Sequence, residues 1–365
     1  MALCFTIFPY HDSFYYWTWS QHLQLSYYDG PPLIAYILKV STLIFGNTVF
    51  AINIVGVIFA YLAAYYVYKL AFLMSKDIKV ARLSFVMYLA YPFVTTRFIY
   101  INMTYDCLEN LFYVMITYYV VLFLNSRNYK LWILIGVLSG LAMLSKYSGI
   151  VLFMGLFVYF ITNAKERKLF TRYELYIGII LCLILFIPVI YWNYQNGWES
   201  FLYQLNSHKW TGELGSINSR TKHGLPGVWF YLANCMLATF HILIAFLLFF
   251  KIKYKSHIIE SSAEKLLATI FVVFFLFWLY ISYGSHVGLN YALPILFIPI
   301  YFCAKLFVKY DLSRAQVIFI FLFAIISIGM MIDHSRLKRG DELNYNRYIL
   351  TDMVKQPLNI WHLPK

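Results

Sequence analysis

The chain is a succession of long apolar runs separated by short polar gaps. A membrane-crossing helix needs about 20 predominantly apolar residues. On that measure candidate spans fall at 47–74, 82–98, 106–125, 131–144, 147–163, 173–191, 227–250, 265–283, 288–307 and 314–332. That makes about ten spans. Two shorter elements precede them. Residues 13–25 carry Tyr15, Trp17 and Trp19 and read as a helix lying in the membrane interface, with its rings as anchors. Asp29-Gly30-Pro31-Pro32 is turn chemistry, and proline is admitted in a first helical turn, so a second short helix follows it to Phe45-Gly46. Residues 1–10 are apolar but too short to span and read as the end of a span that starts upstream.

The predicted fold is therefore an all-α integral membrane bundle in three parts. Residues 1–46 hold an outer loop and interfacial helices, 47–332 form the helical core with an outer loop at 192–226, and 333–365 form a short outer tail. Composition agrees: 62% of residues are hydrophobic and 12% charged, where a soluble domain has about 25% charged. The net charge of +13 does not call for nucleic acid. It gathers in one set of loops, at Lys76, Lys79 and Arg82, Arg127 and Lys130, Lys165 to Arg172, Lys251 to Lys265, and Lys305 to Arg314. Basic short loops face the cytoplasm. The opening loop, 192–226 and the tail then face outward. Cys4, Cys107, Cys182, Cys235 and Cys303 sit in or beside apolar runs without a CxxC pair, so they read as packing residues. No ligand spacing for a metal appears; a divalent cation at Asp12 and Asp106 is possible but not indicated.

Charges inside the spans are almost absent, whereas a proton-coupled transporter usually carries ionisable groups at mid-span. Asp12, Asp29, Arg97, Asp106, Glu109 and Lys146 all fall at span ends on the outward side. Topology thus brings six ionisable groups to one membrane face. Each has a plain structural reading beside the functional one. Asp12 is either a site carboxylate or a helix N-cap. Asp29 is either a substrate ligand or a turn cap. Asp106 is either a site acid or a complement to a helix dipole, with Glu109 one turn further on the same face. Lys146 and Arg97 either bind an anionic group or snorkel to headgroups. Tyr15 and Tyr16 either stack on substrate or anchor the interface.

Asp12-Ser13-Phe14-Tyr15-Tyr16-Trp17 followed by Tyr28-Asp29-Gly30-Pro31-Pro32 resembles the first outer loop of polyprenyl-phosphate-sugar-dependent glycosyltransferases of the C type (GT-C), the protein mannosyltransferase and lipid A aminoarabinose transferase kind. The resemblance continues in order through Tyr105-Asp106, Leu144-Ser145-Lys146-Tyr147, Trp192-Asn193 with Gly197-Trp198-Glu199-Ser200-Phe201, and Asn290-Tyr291-Ala292-Leu293-Pro294. Ser13 stands where the family has a second acid, and Gly30 where it has histidine. The resemblance implies a GT-C bundle and a sugar on polyprenyl phosphate as donor substrate, with no resident cofactor. It implies an envelope glycolipid such as lipid A or lipopolysaccharide, or a protein, as acceptor. Asp12 and Asp106 are then catalytic. Lys146 and Arg97 hold the donor phosphate, and Asp29, Tyr15, Tyr16, Glu109, Asn193 and Asn290 contact substrate. Two other readings stay open: a lipid or glycolipid transporter, and a truncated transferase paralogue that binds donor without transferring.

Overall fold

The computed structural model describes residues 11–91, 94, 104–207, 224–237, 259–284, 287–314, 316–318, 320–326 and 329. Among these there is no strand, only one isolated bridge between Tyr27 and Gly30. The helices are α1 (His11–Gln21), α2 (Leu33–Phe45), α3 (Val49–Ser75), α4 (Ile78–Ala90), α5 (Tyr105–Ser126), α6 (Leu131–Ser145), α7 (Ile150–Thr162), α8 (Tyr173–Gln195), α9 (Glu199–Ser207), α10 (Leu225–Leu237), α11 (Ser262–Gly284) and α12 (Phe297–Lys309). Four of them, α3, α5, α8 and α11, are long and apolar enough to cross a membrane. This is a multi-pass membrane protein.

Local chemistry sets most helix ends. Thr48 caps α3 by accepting the Ala51 N–H at 3.2 Å. Lys76 closes α3 at φ 58, and the next residue, Asp77, caps α4 by accepting the Lys79 N–H at 2.7 Å. Arg127 closes α5 in the same left-handed way, at φ 56. These connections are the basic loops of one membrane face.

Helix α5 is the centre of the bundle: 78% of its most apolar window is buried, against 11% for α8. Helix α8 lies at the periphery with its isoleucines outward, and it packs mainly on α6. Gly136 and Gly178 let the two backbones touch there, since a Cβ on Gly136 would overlap the Gly178 carbonyl. Helix α3 packs on α4 and α5, α7 on α11, and α12 on α4.

Four predicted elements have different limits. The span expected at 82–98 is the helix α4, which ends at Ala90 where Tyr91 turns extended. The interfacial helix ends at Gln21, not Leu25, because the chain turns back there. Tyr27 stacks on Trp19 with ring centroids 4.1 Å apart and its hydroxyl donates to the Trp19 carbonyl at 2.9 Å. The expected span 288–307 is broken into a 3-10 turn, Leu289–Ile295, and α12. Pro294 lies in that turn and has no N–H to continue an α-helical ladder. Likewise the span expected from 147 begins with a 3-10 turn, Tyr147–Gly149, before α7. Both irregular turns lie at the end of the bundle where α5 starts and α6 stops. Arg97 and the tail lie outside the described residues.

Candidate active site

The loop after α1 is held from two sides. Trp192 of α8 donates its indole N–H to the Gln24 side chain at 3.0 Å. Gln204 of α9 donates to the Asp29 carbonyl at 2.5 Å. The Tyr147 hydroxyl sits 2.8 Å from Ser200 Oγ and 3.3 Å from Ser26 Oγ. The α8–α9 corner is itself fixed by Asn193. Its Nδ2 donates to the Val189 carbonyl at 3.0 Å, its Oδ1 accepts the Phe201 N–H at 3.2 Å, and the side chain is fully buried. Asn193 thus shapes this corner through both ends of its amide.

Beneath this loop lies a charge cluster that no single segment supplies. Lys146, where α6 stops, places Nζ 2.7 Å from Asp106 Oδ1 and 3.4 Å from Glu109 Oε2, both on the first turns of α5. Asn290 Nδ2 reaches the same Asp106 oxygen at 3.4 Å, and Ser148 Oγ donates to Glu109 Oε1. All three charges are nearly inaccessible to solvent. The ammonium also lies 4.5 Å from the Tyr291 ring centroid and 5.0 Å from that of Tyr105. Lys146 is therefore not the unpaired cation that its bare loop implied.

A cavity of 440 Å³ opens beside this cluster. Its lining mixes the polar groups of Asp29, Lys146, Ser148, Gln204, Tyr105 and Tyr291 with the apolar side chains of Ile150 and Val151 of α7, Leu205 of α9, and Phe277 and Ile281 of α11. Exposed Tyr280 and Tyr283 stand at its rim. Asp29 is the carboxylate in the lining. Burial pushes its pKa up to about 6, a hydrogen bond from Tyr15 works against that rise, and the nearby Asp12 charge adds to it. Its Oδ1 is buried without a hydrogen-bond partner. Asp12 itself lies in the first turn of α1, partly buried and outside the cavity wall. Tyr16 is buried between α1 and α5, with its ring 5.2 Å from Tyr105 and 5.1 Å from Trp19.

The solved structures most informative for this arrangement are those of ArnT from Cupriavidus metallidurans. The apo form superposes with a TM-score of 0.66 at 13% identity, covering 87% of this chain and 60% of that one. The form bound to undecaprenyl phosphate gives 0.65 at 13%, covering 93% and 71%. The chain has the GT-C glycosyltransferase fold. Within the GT-C frame, residues 29–192 match the family described as dolichyl-phosphate-mannose-protein mannosyltransferase. The lipid A galacturonosyltransferase RgtD of Rhizobium johnstonii is 24% identical over 210 residues, 57% of this chain and 43% of that protein. The chain thus spans less than half the length of that relative.

The structure brings Asp106, Glu109, Lys146 and Asn290, each singled out in the sequence, into one cluster. The motifs by themselves do not point to Tyr105 and Tyr291 as the rings that flank the ammonium, Ser148 as the partner of Glu109, or Gln204 as the clamp on Asp29. Tyr105 and Tyr291 are each adjacent to a motif residue, which was signal enough. Gln204 carries none. Among the described residues no group of three His, Cys, Asp or Glu side chains is placed to hold a metal ion.

Proposed function

We propose that the chain is a membrane glycosyltransferase that moves a sugar from a polyprenyl-phosphate donor to an envelope glycolipid, such as lipid A or lipopolysaccharide, or to a protein, on the periplasmic face of the inner membrane. The observation that supports this most is the mixed lining of the cavity. A lipid-linked sugar has an apolar chain and a polar head, and the lining supplies both apolar side chains and charged or hydroxyl groups. Undecaprenyl phosphate bound in ArnT, a neighbour of the same fold, supports the same donor class.

The chemistry asks little of the protein. A prenyl phosphate leaves as a stable anion and needs no general acid, so one carboxylate suffices as base. A glycosidase, by contrast, needs two carboxylates about the scissile bond. Asp12, close enough to the cavity-lining Asp29 for its charge to act on it, takes the proton of the acceptor hydroxyl as that hydroxyl approaches from outside the cavity wall. The acceptor oxygen forms its bond to the anomeric carbon as the bond to the phosphate oxygen breaks on the opposite face, and the sugar inverts. Lysine carries three N–H donors. Two of those on Lys146 are directed at Asp106 and Glu109, which fixes the third for the departing phosphate on the cavity side. Asp29, with its unpartnered oxygen, accepts from a sugar or acceptor hydroxyl.

Asp12→Asn is expected to abolish transfer while expression and membrane insertion stay intact, and retained transfer would remove Asp12 from the role. Mass spectrometry of envelope lipids and glycans from cells with and without the gene reads the sugar increment directly. Ser13 favours a second reading, in which the chain binds donor without transferring. The position where the family has an acid is here a fully buried serine. An unchanged glycan profile with donor still bound to the purified protein is the outcome of that reading.

A further inference from the structure

One cation lies far from the cavity and is used by nothing above. Lys69 sits on α3, six residues before the helix ends at Ser75, or about 9 Å along the axis. That end leads into the basic loop of Lys76, Lys79 and Arg82, so Lys69 lies just inside the cytoplasmic leaflet. Its ammonium is 4.6 Å from the ring centroid of Tyr118 on α5, 5.2 Å from that of Tyr66 and 5.7 Å from that of Tyr65. Among the described residues no carboxylate pairs with it. This differs from Lys146, Lys305, Lys309 and Arg127, each of which has an acidic partner.

The ring faces stabilise the positive charge but accept no conventional hydrogen bond, so the ammonium keeps its donors. A second donor surplus lies beside it. The hydroxyls of Tyr66 and Tyr119 are 3.4 Å apart. One can donate to the other, which leaves the remaining O–H without an acceptor among the described residues. Tyr65 is half exposed, so the cage opens outward from the bundle. An uncompensated cation and a spare phenol donor at headgroup depth share one complement, an oxyanion with several acceptor oxygens.

We infer that Lys69, with Tyr65, Tyr66, Tyr118 and Tyr119, forms a binding site for the phosphate of an anionic phospholipid of the cytoplasmic leaflet. The lipid is favoured over a soluble anion because the site lies below the helix end, where acyl chains can pack on the exposed Tyr61, Leu62 and Phe72 of α3. Snorkelling to water would leave the ammonium extended past the rings; here the rings hold it back.

The test uses the whole protein in detergent micelles doped with equal phosphatidylglycerol and phosphatidylethanolamine, with retained lipid read by native mass spectrometry. The wild type is expected to retain the anionic lipid preferentially. Lys69→Gln is expected to lower the ratio of anionic to zwitterionic lipid about fivefold, the usual effect of one basic side chain at an anionic leaflet. Lys69→Arg should keep the preference, and Tyr66→Phe with Tyr119→Phe should reduce it. Lys79→Gln, in the neighbouring loop, should leave it unchanged. An unaltered ratio in a monodisperse Lys69→Gln protein would overturn the proposal. So would an equal loss in Lys79→Gln, which would mean only diffuse attraction. Displacement of the lipid by millimolar inorganic phosphate would overturn the choice of a lipid.

Discussion

Lys146 Nζ lies 2.7 Å from Asp106 Oδ1, a contact between residues 40 positions apart that closes the end of α6 onto the start of α5. With Glu109 at 3.4 Å the ammonium is shared by two buried carboxylates. Removing the cation strands both acids, and breaking a buried pair costs about 3–5 kcal/mol. Lys146→Met is expected to lower the thermal midpoint markedly. Lys146→Met combined with Asp106→Asn and Glu109→Gln should recover much of that loss without recovering transfer. Thermal unfolding in detergent and a transfer assay on the same preparations separate the two effects. A triple variant as unstable as the single would show that charge pairing is not what the cluster contributes.

Asp29 gives a pH dependence. Its folded pKa of about 6 lies above the ordinary 3.8, so the folded chain binds this proton more tightly than the unfolded chain does. The stabilisation is fully present below pH 4 and is lost as pH rises through 6. Function runs the other way. The ionised carboxylate is the better acceptor for a substrate hydroxyl, so kcat/KM should rise through pH 6. Asp29→Asn should erase that limb of the profile. Tyr15→Phe removes a hydrogen bond that favours the ionised form and should move the limb to higher pH.

Gly136 tolerates no side chain. A Cβ there meets the backbone of Gly178, and neither helix can yield locally. Gly136→Val is expected to force α6 and α8 apart, reducing the yield of monodisperse protein. It should also weaken transfer, because α6 ends at the lysine of the site. Gly197→Ala lies in open space at φ 64 and should cost only the local strain of that turn. Comparing the two by size-exclusion profile tests whether backbone contact is the cause.

At the opposite end of the bundle Glu264 accepts the N–H groups of Glu260 and Ser261 at 2.7 and 3.1 Å, the Tyr301 hydroxyl at 3.0 Å and Lys305 Nζ at 2.6 Å. It caps α11 and ties it to α12. Glu260 is the outer member of this network, and hydrogen bonds from Lys305 and Lys309 pull its carboxyl down to about 2. Glu264→Ala should cost about 1–2 kcal/mol for the lost cap, plus whatever the unpaired lysine adds. Activity per folded molecule should stay the same, since the cavity lies at the other membrane face. A selective loss of activity without loss of stability would contradict that separation.

Several features were legible in the residues alone. The apolar runs named α3, α5, α6, α8 and α11 to within a few positions, because membrane length and hydropathy are local properties. Asp29-Gly30-Pro31-Pro32 announced α2, and Asp106 with Glu109 announced one helix face through simple i, i+3 geometry. The ordered motifs from Asp12 to Pro294 pointed to the GT-C fold before any coordinates. They also assigned Lys146 a phosphate and Asn193 a substrate, and those roles depend on neighbours that sequence distance hides. Lys69 escaped notice because a lone lysine near a span end reads as snorkelling.

The sequence by itself determined that this is a bundle of membrane helices, which ends carry charge, and which motifs line up along one face. Those follow from hydropathy, capping and turn chemistry acting over a few residues. Only the tertiary structure decided that Lys146 is neutralised by Asp106 and Glu109, and that Asp29 lines the cavity while Asp12 does not. It also decided that the run from 288 breaks before α12, and that four tyrosines from two helices gather around Lys69. Each of these depends on how helices far apart in the chain pack side by side, and no local rule encodes which faces will meet.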